Sequence, residues 1–70
     1  MGSIIRVLME RDGLDKDEAV ERVEEFIRFA KGIDPWEIEE EFQFEFGLEP
    51  DYLFNLMCSK LWNQIYAAAA

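Results

Sequence analysis

The chain is 70 residues long, 50 % hydrophobic and 14 % aromatic, so it forms one domain at most and is too apolar to stay disordered. One cysteine and no histidine exclude an internal disulfide, a cysteine–histidine zinc site and any mechanism built on imidazole. The net charge of −9, from 16 acids against 7 bases, repels nucleic acid and attracts basic surfaces.

Taken in chain order, Ser3 can cap a first short helix, "IIRVLMER", in which Ile4, Val7 and Leu8 share a face. Asp12–Gly13–Leu14 ends it, with glycine suited to the left-handed position after a helix. Asp15 with Glu18 three residues on is a capping-box variant, and the second helix is predicted over Lys16–Lys31. Its stripe is Val20, Val23, Ile27 and Ala30, widened by Ala19 and Phe26. Glu18–Arg22 and Glu24–Arg28 add i,i+4 support, and Gly32 stops the helix.

Residues 34–51, "DPWEIEEEFQFEFGLEPD", raise a conflict. "FQFEF" alternates with the strand period, but Asp34–Pro35 is a helix start and Gly47–Leu48 a helix stop. At the helical period Ile38, Phe42 and Phe46 fall within about 80° of one another. A third helix is therefore predicted, with Trp36 and Phe44 off its core stripe. Pro50 then opens a last helix to about Tyr66, with Leu53, Phe54, Met57, Cys58, Leu61 and Ile65 on its apolar face. Asn55, Ser59, Lys60, Asn63 and Gln64 lie opposite. The expected fold is an all-α bundle of three to four short helices in a single domain, residues 1–66. "MGS" and Ala67–Ala70 resemble linker or cloning remnants. Cys58 is expected in the core, and a lone cysteine fits a reducing compartment. No apolar run approaches the roughly 20 residues of a membrane span and no signal-peptide pattern opens the chain, so a soluble, cytoplasmic protein is expected.

Charge is unevenly spread. Residues 1–33 hold 8 acids and 6 bases, residues 34–51 hold 8 acids and no base, and beyond them only Lys60 is charged. The acidic segment ends in "FGLEPDYLFNLM", residues 46–57, which resembles the corner of helix-turn-helix proteins. DNA readers place basic or amide side chains on the second helix. Here the exposed positions are Asp51, Asn55 and Ser59, so the resemblance implies a packing corner and not DNA reading.

A broader resemblance covers residues 4–57. "LMERDGLDKDEAVERVEEF" followed by "EEFQFEFGLEPDYLFNLM" resembles the small acidic helical proteins of bacteriophages and prophages, in which an "ERDG…EA" helix precedes a "FGLEPDYL" corner. The resemblance implies a protein acting in a bacterial host cell that binds and blocks a host protein, such as a defence nuclease, in the manner of an anti-CRISPR inhibitor. The aromatic content of residues 36–46 departs from that pattern and is expected to be particular to this chain's partner.

The glutamates can serve as chemistry as well as surface. Glu37, Glu40, Glu41 and Glu45 are helical neighbours, but a metal site needs ligands from several elements and acid–base work needs a pocket that shifts a pKa. No catalytic, metal or cofactor site is expected. A one-sign charge run is either a solvated face or a binding face. Carboxylates three or four positions apart lie about 5–6 Å apart, close enough to a phosphate row to enter a basic, nucleic-acid-binding groove. On that reading the partner-binding residues are Trp36, Glu37, Glu39, Glu40, Glu41, Phe44, Glu45, Glu49 and Asp51. Trp36 and Phe44 either fold onto the first helix or anchor the interface. Trp62 and Tyr66 either join them or make a homodimer contact. The alternative from another class is a self-associating structural or virion-associated protein whose acids only solubilise it. An antitoxin-like partner of a basic toxin shares the physics of the first reading.

Overall fold

A computed structural model describes residues 3–67. The side chain of Ser3, and with it the expected cap, lies outside the described part, as do Met1–Gly2 and Ala68–Ala70. All regular structure among the described residues is α-helical, in the order α1 (Ser3–Asp12), α2 (Lys16–Lys31), α3 (Pro35–Phe46), α4 (Pro50–Met57) and α5 (Lys60–Ile65). The all-α bundle expected from the apolar spacing is what forms.

The second helix is the best specified locally. The Asp15 carboxylate accepts from the Glu18 N–H at 2.8 Å and the Glu18 carboxylate accepts from the Asp15 N–H at 3.1 Å, so two otherwise orphaned donors are satisfied reciprocally. Asp17 and Glu18 stand in the first turn and Arg28 and Lys31 in the last, matching the helix dipole at both ends. Of the two expected i,i+4 pairs, Glu24–Arg28 forms at 3.9 Å. Glu18 is committed to the capping box instead, and Arg22 turns across the bundle to Asp12 at 3.7 Å and Glu45 at 3.6 Å. A tertiary partner displaces the local one.

The segment that alternated like a strand is helical throughout Pro35–Phe46. Ile38, Phe42 and Phe46 are buried, and Phe26, Phe42 and Phe46 form an aromatic cluster with ring centroids 5.1–5.6 Å apart. Edge-to-face arrangements of this kind add about 0.5–1.5 kcal/mol per pair beyond area burial. Gly47, at φ 66°, turns the chain left-handed, and its N–H donates to the Gln43 carbonyl at 2.8 Å. An L side chain is strained at that angle. Gly13, at φ 71°, does the same after α1.

The last expected helix is two. A helix running through residues 50–66 places Leu53 and Trp62 about 180° apart, yet both are buried. The chain satisfies both by breaking at Cys58–Ser59. Ser59 Oγ then accepts from the Trp62 N–H at 3.2 Å and donates to the Leu56 carbonyl at 2.6 Å, an N-cap that restarts the helix. Three expectations change as a result. Cys58 is exposed and not in the core, Phe54 is exposed, and Leu56 takes the core position between them. Trp62 is buried and stacks on Tyr66 at 4.8 Å, so it is core and not a homodimer contact. Val20 and Val7 are half-buried, while Ile5 joins Ile4 and Leu8 inside.

The core collects Leu8, Val23, Ile27, Phe42, Phe46, Leu53 and their neighbours, and among the described residues no charged or polar one is buried. α1 packs on α2 and α4, and α5 packs on α2 and α4. Among the described residues α3 touches only α2 and α4. One long flank of the most acidic helix is thereby left uncovered. No helix of the described residues is long and apolar enough to cross a membrane.

Candidate functional site: the uncovered face of α3

Helical spacing arranges the outward residues of α3 in two neighbouring rows. Trp36, Glu40 and Phe44 follow at i, i+4, i+8, and Glu37, Glu41 and Glu45 at the same interval beside them. Such rows are the ridges that run along a helix surface, and each spans about 12 Å at 1.5 Å per residue. Glu39 flanks Trp36 at i+3. Trp36 is 78 % exposed and Phe44 86 % exposed, so neither folds onto the first helix. A buried aromatic side chain removes about 150–250 Å² from water. Leaving two of them in solvent on one helix forgoes that burial and builds an apolar feature inside a carboxylate field.

The electrostatics of the face run against helix stability. Like charges at i,i+3 and i,i+4 cost about 0.2–0.5 kcal/mol per pair, and Glu37–Glu40, Glu37–Glu41 and Glu41–Glu45 are all such pairs. The last turn of α3 contains Glu45 and no base, placing a negative charge at the negative end of the dipole. The carboxyl of Glu37 is raised above its ordinary range, first by partial desolvation, then by the charge of Asp34 and a hydrogen bond with it, and then by Glu41 and Glu40. Asp34 itself gives no side-chain cap to α3. Glu37 offsets part of this by standing in the first turn of α3, and Arg22 offsets a further part. Arg22 meets the Glu45 carboxylate at 3.6 Å and donates weakly to the Glu45 carbonyl at 3.5 Å, with both side chains well exposed, so the pair contributes little.

The nine residues expected at the partner surface do not form one patch of equal character. Trp36, Glu37, Glu39, Glu40 and Phe44 are exposed on α3, and Glu41 is half-buried on the edge toward α2. Glu45 is partly compensated. Glu49 and Asp51 are exposed beyond the Gly47 corner, where Glu49 is the N-cap residue of α4 without a side-chain cap bond and Asp51 lies in its first turn. An acid in a first helical turn is stabilising there in its own right, which accounts for Asp51 without a partner.

Two further residues border this face beyond those expected from the sequence. Phe29 and Glu25 of α2 stand beside Phe44, Glu41 and Glu45 around a groove of about 210 Å³, with Phe26 and Arg22 completing it. Phe29 is 49 % exposed. The signal was present in α2, where Phe29 falls outside the stripe made by Val23, Ile27 and Ala30. A larger groove of about 530 Å³, away from α3, is bounded by Ile4, Ile5, Leu56, Leu61 and the exposed Cys58, and no carboxylate lines it. Among the described residues no group of three or more metal-ligating side chains is gathered to hold an ion. No family model, curated protein or solved structure matches the chain.

Proposed function

We propose that this chain is a non-enzymatic binding protein that occupies the nucleic-acid groove of a basic bacterial host protein with the uncovered face of α3. The observation that carries the reading is the exposure of Trp36 and Phe44 on a face with five carboxylates and no base. Exposed aromatics surrounded by charge have the anatomy of interface anchors with a polar rim. The carboxylates raise the association rate toward a cationic groove and compete there with DNA or RNA. The resemblance over residues 4–57 to phage and prophage proteins supplies the setting, a host cytoplasm, and the effect, inhibition of a nucleic-acid-binding protein such as a defence nuclease.

Self-association is the competing reading, and charge argues against it. A two-fold homodimer through this face would bring each copy's acids against the other's, with like-charge juxtaposition costing several kcal/mol. Sedimentation at micromolar concentration is expected to give a monomer, and a tight dimer at low salt would sink the inhibitor reading. The direct experiment is capture from bacterial lysate at low salt. The captured partner is expected to be released by added DNA and by rising ionic strength, and retention unchanged by both would contradict the reading.

A further inference from the structure

We infer that the groove between α2 and α3 is a receptor for one arginine side chain of the basic partner, an inference that rests on the reading of α3 given above. Size is the first argument. Pockets for small molecules and cofactors run to about 300–1,000 Å³, and a groove of about 210 Å³ suits a single side chain. Chemistry is the second. The groove is lined by the exposed Phe29 and Phe44, the buried Phe26 and the acids Glu25 and Glu41. Aromatic faces beside carboxylates fit a planar, weakly hydrated cation that stacks and donates in a fork, which is guanidinium and not ammonium.

The third argument is that the protein already builds this arrangement once. Arg22 also lines the groove, and its guanidinium lies 5.7 Å from the centroid of the Phe46 ring while meeting Asp12 and Glu45. Among the described residues the one base lining the groove is thus engaged with the protein's own acids. Phe29, Phe44, Glu25 and Glu41 offer the same set of partners, and no further basic residue among the described ones lines the groove. Phe44 belongs both to this rim and to the row of Trp36 and Glu40, so the receptor is continuous with the outer face and adds a point of specificity to a field that is otherwise only charged.

Two peptides and two variants test it. Affinities of nona-arginine and nona-lysine are measured at low salt for the wild type, Phe29→Ala/Glu25→Gln and Glu37→Lys/Glu40→Lys. All four substituted residues are exposed, and circular dichroism checks that the helices persist. The receptor predicts that Phe29→Ala/Glu25→Gln weakens nona-arginine roughly fivefold or more while nona-lysine changes less than about twofold. Glu37→Lys/Glu40→Lys is expected to weaken both peptides. Equal losses for the two peptides, or none, in the α2 variant overturn the receptor. If the α3 variant still weakens both, the wider reading stands alone; if neither variant matters, both fall. As a measurement on the unmutated chain, acetyl-Gly-Arg-Gly-amide is expected to shift the aromatic resonances of Phe29 and Phe44 saturably, and shifts confined to Trp36 would overturn the receptor.

Discussion

Helices α2 and α3 lie against each other and are both rich in acid, but they are built on opposite terms. In α2 acids and bases are interleaved: a closed capping box, acids in the first turn, bases in the last, and an i,i+4 ion pair between Glu24 and Arg28, although Asp17–Glu21 and Glu21–Glu25 are like-charge neighbours. In α3 there is no side-chain cap and no base among the acids, Glu37 alone suits the dipole in the first turn, and two aromatic rings are left in water. α2 would favour a helix on local terms alone, whereas α3 is held helical by Ile38, Phe42 and Phe46 in the core and by the Gly47 corner. The contrast teaches where to look for function. A surface that agrees with its own stability needs no further reason, and one assembled against it does.

The contrast is broken most severely by exchanging the two kinds of phenylalanine on α3. Phe42→Ala, at a fully buried site between α2 and α3, is expected to cost about 3–5 kcal/mol, which is most of the stability a chain of this size holds. Phe44→Ala two residues away should change stability by no more than about 0.5 kcal/mol while weakening partner binding. Urea denaturation of both variants checks this, and a large stability loss in Phe44→Ala would return that ring to the core.

The caps give the next largest effect. Asp15→Ala removes a formed capping box and should cost about 1 kcal/mol. Asp34→Ala removes no cap bond and relieves a like charge beside Glu37, at the cost of an acid at the helix N-terminus, so its loss is expected to be clearly smaller than that of Asp15→Ala in a thermal melt. Equal losses at the two positions would show that the helix starts are not different in kind.

Smaller still is Glu41→Lys, which converts the Glu37–Glu41 repulsion into an i,i+4 attraction. It should stabilise the fold by a few tenths of a kcal/mol while weakening the basic partner's binding. Stability and binding moving together in that variant would remove the trade-off from α3.

The pH dependence separates Glu37 of α3 from Asp12, at the end of α1, by sign. Glu37 titrates above its ordinary range in the folded protein, so it favours the fold most when protonated, and that contribution is lost as pH rises through its folded pKa. Asp12 is lowered, first by its hydrogen bond with Arg11, so its contribution is present above the unfolded pKa and lost as pH falls through the folded one. Thermal melts of Glu37→Gln and Asp12→Asn from about pH 7 to about pH 3 should therefore differ from the wild type with opposite slopes. Both groups are exposed, so the differences are small.

The helices that carry local punctuation were legible in the sequence. α2 begins and ends as its box and glycine indicate, and α3 could be told from a strand because Asp34–Pro35 and Gly47 outweigh a five-residue alternation. The break at Cys58–Ser59 was not read, because the apolar spacing continues through it and the requirement to bury Trp62 appears only when volumes are considered with periodicity. The acids and aromatics of α3 were legible as a candidate surface. Which side Trp36 and Phe44 would take was not, since that depends on which flank of α3 its neighbours leave uncovered. The α2 half of the groove, Glu25 and Phe29, is a product of that packing.

The most direct measurement compares two charge reversals of equal size. Glu37→Lys/Glu40→Lys/Glu41→Lys alters the uncovered face of α3. Glu10→Lys/Asp17→Lys/Glu21→Lys changes the net charge identically through exposed acids of α1 and α2. Binding of each variant to a basic host protein captured by the wild type is measured at low salt. The account predicts that the α3 triple abolishes binding and the α1–α2 triple retains most of it; equal loss in both would mean that bulk charge, and not this face, is responsible.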